Sequence, residues 1–174
     1  MRSDNLVITI ATPKDAALLT ALSIDTFCET FAPYNKKEDM DKYISEEMNL
    51  TRITEELNDD NNIFFLASDN GIPIGYAKVR GTKIPEALKN NSPLEIERIY
   101  VLQKNQDMKT GSALMQHCID YALSKQYNVI WLGVWEHNLK AIDFYKRWGF
   151  ALFGSHLFRL GDDDQTDVLM KKKL

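Results

Sequence analysis

Leu94-Glu-Ile-Glu-Arg-Ile-Tyr-Val-Leu102 is followed by a polar loop, Gln103 to Thr110, by Gly111 and a helix, and then by Val129-Ile-Trp-Leu-Gly-Val-Trp135. This order decides the fold. The first segment is a half-charged strand. Between Gly111 and Gln126 the apolar positions Leu114, Met115, Cys118, Ile119, Ala122 and Leu123 form one helical face. The run Val129 to Trp135 is apolar almost throughout, as a strand buried on both faces should be. Two strands joined by a helix lie parallel through a right-handed crossover. A second helix follows from Asn138, with Ala141, Ile142, Tyr145 and Trp148 on one side and Gly149 at its end. Such a unit aims backbone amides at one spot, where a phosphate can sit.

Outward from this unit the chain reads simply. Leu6 to Ala11 is a β-branched strand, and Thr12-Pro13 opens a helix. Leu18, Leu19, Leu22, Phe27 and Phe31 carry the helical spacing up to Pro33. Lys36 to Glu47 repeats it with Met40, Tyr43, Ile44 and Met48, and Thr51 can cap a short segment through Leu57. Together these predict two helices hinged near Pro33 and Asn49. Ile63 to Ser68, the turn Asp69-Asn-Gly71 and Ile74 to Arg80 make a hairpin. Thr82 to Pro93 is a loop with one helical turn. Ala151 to Leu160 and Thr166 to Lys171 make a last hairpin around Gly161-Asp-Asp-Asp-Gln165. The prediction is one α/β domain over residues 1–174. It has a mixed, mostly antiparallel sheet of about seven strands, one parallel pair and helices on both sides.

Composition removes several classes. The chain has 174 residues, 44% of them hydrophobic, and a formal charge of -4, with no basic block beyond Lys171-Lys-Lys173. Nucleic-acid binding rests on clustered cations, so it is not expected. An acidic balance permits a cationic substrate. Cys28 and Cys118 have no paired spacing and read as buried thiols in a reducing compartment. No apolar run nears the roughly 20 residues that span a bilayer, and Met1 to Asn5 lacks an apolar leader. A cytoplasmic protein without a membrane partner is expected. His117, His137 and His156 lack metal spacing, and Asp162-Asp-Asp164 lacks the further oxygens of a calcium loop. No metal is therefore expected. His156 reads more simply as a surface or half-buried strand histidine than as one at a site mouth. An exposed edge in the last hairpin leaves a homodimer open.

Three groups of residues can carry chemistry. Gln106-Asp-Met-Lys-Thr-Gly111 and Ser112 lie between strand and helix, where amides and the helix dipole favour an anion. By composition alone the loop reads more readily as an ordinary strand-to-helix connection with a glycine entry. Asn138 and Tyr145 are seven residues apart, on one side of a helix. A phenol with an ordinary pKa near 10 suits proton donation to a thiolate of similar basicity, and a satisfied core tyrosine fits as well. Glu95 and Glu97 share a face of a central strand, where carboxylates are costly unless used. They can take a proton or hold a cationic amine, or simply pair with neighbouring cations. Trp135 reads as core or pocket wall.

The combination resembles the GNAT superfamily of acetyl-CoA-dependent N-acetyltransferases. Leu94 to Tyr100, Ile130 to Glu136, Asn138 with Ala141 to Lys146, Gly149-Phe150 and Gly161 to Asp167 look like bacterial spermidine/spermine N-acetyltransferases of the PaiA type. Ser23 to Phe27 and Thr30-Phe31 do as well. The resemblance implies that the parallel strands splay into a V that takes acetyl-CoA. Its pantetheine would bond the backbone at Ile99, Tyr100 and Val101. Its pyrophosphate would sit on Gln106, Asp107, Met108, Lys109, Thr110, Gly111 and Ser112. Asn138, with Ala141, would contact the cofactor near the thioester. It also implies Tyr145 as the acid for the thiolate and Glu97 as the base for the amine. An amide near Ile99 would stabilise the oxyanion. Glu95, Glu97 and Trp135 would line a negative cleft for a small amine. One departure stands out: Lys109 occupies the first glycine position of the loop. It is the one sequence feature behind an alternative, a non-catalytic acetyl-CoA-binding regulatory module. Other acceptors, such as amino acids, aminoglycosides or protein N-termini, stay open.

Overall fold

A computed structural model describes residues 5–174. Met1 to Asp4, part of the segment expected to lack an apolar leader, lie outside these residues. Seven strands form one sheet: β1 (Leu6–Ile10), β2 (Asn62–Asp69), β3 (Ile72–Arg80), β4 (Pro93–Val101), β5 (Val129–Trp135), β6 (Ala151–Leu160) and β7 (Asp163–Lys173). Their spatial order is β1-β2-β3-β4-β5-β7-β6, and β4–β5 is the parallel pair. β7 inserts between β5 and β6, so β6 is the exposed edge. The expected fold class is the observed one.

The helical segment after β1 divides further than expected. There are three α-helices: α1 (Ala16–Phe31), α2 (Lys37–Glu47) and α3 (Leu50–Asn58). Asn49, not Thr51, caps α3, its side chain accepting the Arg52 N–H at 2.9 Å. The β2–β3 turn has Asn70 at φ 50° and Gly71 at φ 79°, as a two-residue hairpin turn needs. The last hairpin is tighter than expected, because β7 begins at Asp163 rather than Thr166. Gly161, at φ 62°, makes that turn possible.

α1, α2 and α3 cover one face of the sheet. The other face takes α4 (Thr110–Ser124) and α5 (Leu139–Arg147). Under α4 and α5 the core gathers Leu114, Cys118, Ile130, Leu132, Ile142 and Tyr145. On the opposite face Leu19, Leu22, Ile53, Phe64 and Tyr76 pack beneath α1 and α3. Phe27, Phe31, Met40 and Leu160 pack where α1 and α2 meet the last hairpin. Cys118 is fully buried, but Cys28 is only half-buried, since it lies beside that interface rather than inside it.

Candidate active site

β4 and β5 pair only through Pro93–Val129, Leu94–Ile130 and Glu95–Trp131. Beyond that point β4 continues from Ile96 to Val101 and β5 from Leu132 to Trp135 with no rung between them. The parallel pair is therefore a V. Its outer edges stay sealed, because β4 pairs with β3 as far as Val101 and β5 with β7 as far as Trp135. The inner edge of β4 at Ile99, Tyr100 and Val101 faces the gap without a strand partner.

The V opens next to a bulge. Lys78 pairs with Arg98, and Val79 pairs with Ile96, so Glu97 is an extra residue in β4. A bulge bends its strand, increases the twist and re-aims a side chain. Ile96 and Ile99 stay on the α4 face. Glu95, Glu97 and Arg98 all reach the cations and acids on the other face.

On that face the carboxylates are already engaged. Glu95 holds Arg80 Nε at 2.5 Å, and Glu97 holds Arg80 Nη1 at 3.1 Å together with Lys78 Nζ. Glu56 from α3 completes the set, bonding Arg98 at 2.9 and 3.2 Å and Lys78 Nζ at 3.1 Å. Three acids match three bases, so the expected negative cleft at Glu95 and Glu97 is not found. Burial alone would push the Glu97 carboxyl up; Arg98, Lys78 and Arg80 outweigh it and hold it below the ordinary value. A carboxylate held this way is a weak base. Burial, then Arg98, pushes the Lys78 ammonium down against the pull of both acids. The sequence did carry a sign of this cluster: Lys78 and Arg80 alternate with Ala77 and Val79 along β3.

The loop after β4 is a 3-10 turn from Gln103 to Met108, anchored where the Gln103 N–H donates to Glu29 of α1 at 2.8 Å. Gln106, Asp107 and Met108 lie in that turn. Lys109 is left-handed, φ 61° and ψ 15°, although it is not glycine. The Ala113 N–H donates to the Lys109 carbonyl at 3.0 Å as α4 begins. The amides of Thr110, Gly111 and Ser112 precede that bond, where a helix start has no internal acceptors. The Thr110 hydroxyl is buried without a hydrogen-bond partner. A Cβ on Gly111 would meet nothing closer than 3.9 Å, leaving a shallow cradle. Exposed Lys109 and Lys140 add positive charge there, and Lys140 reaches from α5 to Gln106 Oε1 at 2.6 Å. Amides, cradle and lysines suit a pyrophosphate. Lys140 escaped the sequence reading because the contact joins two elements 34 residues apart.

Asn138 caps α5, its side-chain oxygen accepting the Ala141 N–H at 3.2 Å. Two turns on, Tyr145 is buried beside Phe144 and Phe150. Burial chiefly, then Cys118, raises its phenol above the ordinary value near 10. The match in basicity with a thiolate suggested by sequence therefore does not hold. In this setting the phenol stays protonated, so its hydroxyl is a hydrogen-bond donor. Trp135 ends β5 in an aromatic corner, its ring centroid 6.1 Å from Phe31, 5.6 Å from Tyr34 and 5.2 Å from His137. Tyr34 is the exposed wall of this corner. Among the described residues no group of three or more His, Cys, Asp or Glu is gathered to hold a metal ion.

Comparison with known proteins agrees with this geometry. The sequence profile of the acetyltransferase (GNAT) family matches residues 24–150. An uncharacterised N-acetyltransferase of Lactobacillus delbrueckii subsp. lactis is 35% identical over 161 residues, covering 92% of this chain and 93% of its own. One from Mycobacterium bovis is 27% identical, covering 92% and 98%. Among solved structures, the PaiA N-acetyltransferase of Thermoplasma acidophilum in complex with coenzyme A superposes with TM-score 0.80 at 20% identity. That match covers 97% of this chain and 99% of the other. The chain belongs to the GNAT family of acetyl-CoA-dependent N-acetyltransferases.

Proposed function

We propose that this enzyme acetylates a small primary amine of the polyamine type by direct attack within a ternary complex. The observation carrying the reading is the V between β4 and β5, which has chemically different surroundings on its two faces. On the α4 and α5 side lie the amide-lined loop, Asn138 and Tyr145. On the other side lie the aromatic corner of Phe31, Tyr34 and Trp135 and the charged cluster at Glu97. The acetyl donor and the amine thus have separate entrances that meet at one gap, and holding both there supplies much of the acceleration. Aromatic faces attract an ammonium, which gives a cationic amine a foothold where Glu95 and Glu97 do not.

In this reading the edge amides of β4 near Ile99 stabilise the oxyanion. Tyr145 donates its hydroxyl hydrogen bond to the departing sulfur. The polyamine class rests on the sequence resemblance to PaiA-type enzymes, and the PaiA N-acetyltransferase neighbour shares the fold. A shorter match covers 37% of this chain and is 38% identical over 64 residues to a streptothricin acetyltransferase of Streptomyces lavendulae. It puts streptothricin in the panel of acceptors. The test is release of coenzyme A thiol from acetyl-CoA with spermidine, spermine, streptothricin, amino acids and a peptide N-terminus. Spermidine and spermine should have the highest kcat/KM. A higher value for any other class refutes the polyamine assignment.

A further inference from the structure

The charged cluster leaves the amine without a competent base. An amine with an ordinary pKa near 10 enters as an ammonium and must lose a proton before it attacks. Glu97, the expected recipient, is tied to Lys78 and Arg80. Another group must take the proton, and it must stand on the acceptor face beside the gap.

His156 and Asp167 meet that condition, packed over Gly133 of β5. Side chains alternate along a strand, so Gly133 faces the same way as Trp131 and Trp135, toward the aromatic corner. Gly133 is two residues past the last β4–β5 rung. Above it lie His156 of β6 and Asp167 of β7, directly opposite each other in the β6–β7 register. A Cβ on Gly133 would meet Asp167 Oδ2 at 3.4 Å and the His156 ring, at Cε1 and Nε2, at 3.5 Å. The missing side chain thus leaves the imidazole lying on the strand that forms one wall of the V. Asp167 is also the β7 partner of Trp135, which brings the pair level with the aromatic corner. His156 Nε2 stands 3.5 Å from Asp167 Oδ2. That is wider than a closed hydrogen bond, as is common for catalytic contacts before substrate arrives. With Nε2–H turned to the carboxylate, the lone pair is on Nδ1. The His156 side chain is 32% exposed, so a proton it accepts can pass to water.

We propose that His156, oriented by Asp167, is the general base that deprotonates the acceptor amine. The proposal rests on the acetyltransferase reading above and extends it. The ammonium N–H gives its proton to Nδ1, and the freed nitrogen lone pair forms the new bond to the acetyl carbon. The C–S bond breaks, and its electron pair leaves on sulfur. The second N–H proton of the attacking nitrogen leaves as the amide forms and ends on sulfur, and the first is released from the imidazolium to solvent. The products are the amide, coenzyme A thiol and one proton. Asp167 balances the imidazolium charge and does not itself take the proton.

The experiment uses the full chain, acetyl-CoA and whichever amine the wild-type enzyme turns over fastest. His156→Gln should lower kcat about 10²- to 10³-fold, with the amine KM within a few-fold and the melting temperature unchanged. Asp167→Asn should lower kcat by a smaller factor. His156→Ala should be as slow as His156→Gln, and free imidazole should restore at least ten-fold of its rate. A His156→Gln enzyme within three-fold of the wild-type kcat overturns the proposal. A slow His156→Ala enzyme that imidazole does not rescue overturns it too, because the loss is then structural. Turnover of some other amine with spermidine inert refutes the polyamine reading alone, and the same variants measured on that amine still decide His156.

Discussion

Replacing Glu56 by Gln removes one buried negative charge and nearly nothing else. The Glu56 carboxylate is bidentate to Arg98, at 2.9 and 3.2 Å, and also holds Lys78 at 3.1 Å. Lys78 and Arg98 are 1% and 8% exposed. Arg52 touches the same carboxylate from the half-exposed rim, at 3.6 Å, and adds little. The cluster of Glu56, Glu95 and Glu97 against Lys78, Arg80 and Arg98 is neutral, so Glu56→Gln leaves it one charge positive, with both cations still buried. Removing one partner of a buried pair costs about 3–5 kcal/mol. For a chain of this size each kcal/mol moves the melting temperature by about 2–4 °C, so the loss should be roughly 6–20 °C. Lys78→Met on the Glu56→Gln background deletes one stranded cation and should recover part of it, as coupled neighbours do. Urea unfolding and thermal scans of wild type, both single variants and the double variant give the cycle. A Glu56→Gln protein within about 1 kcal/mol of wild type would refute the claim that this cluster is electrostatically closed.

Other predictions concern the hairpin tip, the loop and the acid limb. Gly161→Ala should cost about 1–3 kcal/mol, since a Cβ there meets Asp39 Cα at 2.4 Å and its carbonyl oxygen at 2.7 Å; urea midpoints measure it. Lys109→Gly should relieve up to about 1 kcal/mol of left-handed strain, and the KM for acetyl-CoA should rise if the ammonium serves the phosphates. The Glu97 carboxyl is held below its ordinary value. Its contribution is therefore present above about pH 4.3 and lost as pH falls through the lower, folded value. The stability of Glu97→Gln should accordingly fall less steeply than wild type below about pH 4.3, read from melting temperatures across an acid series.

The elements were legible where one periodicity ruled. β5 runs from Val129 to Trp135 as its apolar run states, and Asn138 and Gly149 bracket α5 as cap and stop. The split after Phe31 into three helices was harder. Thr51 and Asn49 both suit a cap, and only the packing of Ile53 against α1 chooses between registers. The tight hairpin at Gly161 was read too wide because three aspartates look like loop, whereas Asp163 and Asp164 pair in strands at the rim. In the site, single-element features were readable: the Asn138 to Tyr145 spacing, the glycine before α4, the acids of β4. Contacts across elements were not. Nothing local says that Lys78 meets Glu97, that Lys140 meets Gln106, or that His156 and Asp167 share the surface of Gly133. Each depends on register between strands or helices far apart in the chain.

The bulge at Glu97 explains why the V and the charged cluster occur together. Pairing with β5 stops at Glu95, two residues before the extra residue, so the bend that Glu97 imposes on β4 begins where the rungs end. The same insertion puts Glu97 on the face that already carries Glu95 and Arg98, without disturbing the α4-side core at Ile96 and Ile99. A carboxylate there would be costly alone. Lys78 and Arg80 come from β3, the strand that stays paired across the bulge. They tie Glu97 down on the side away from β5, which keeps its side chain out of the gap. The price of an opening between parallel strands is a residue that cannot pair, and this chain meets it with charge. Once Glu97 is committed to that task, proton removal falls to a group on the opposite wall, where Gly133 leaves room for His156 and Asp167.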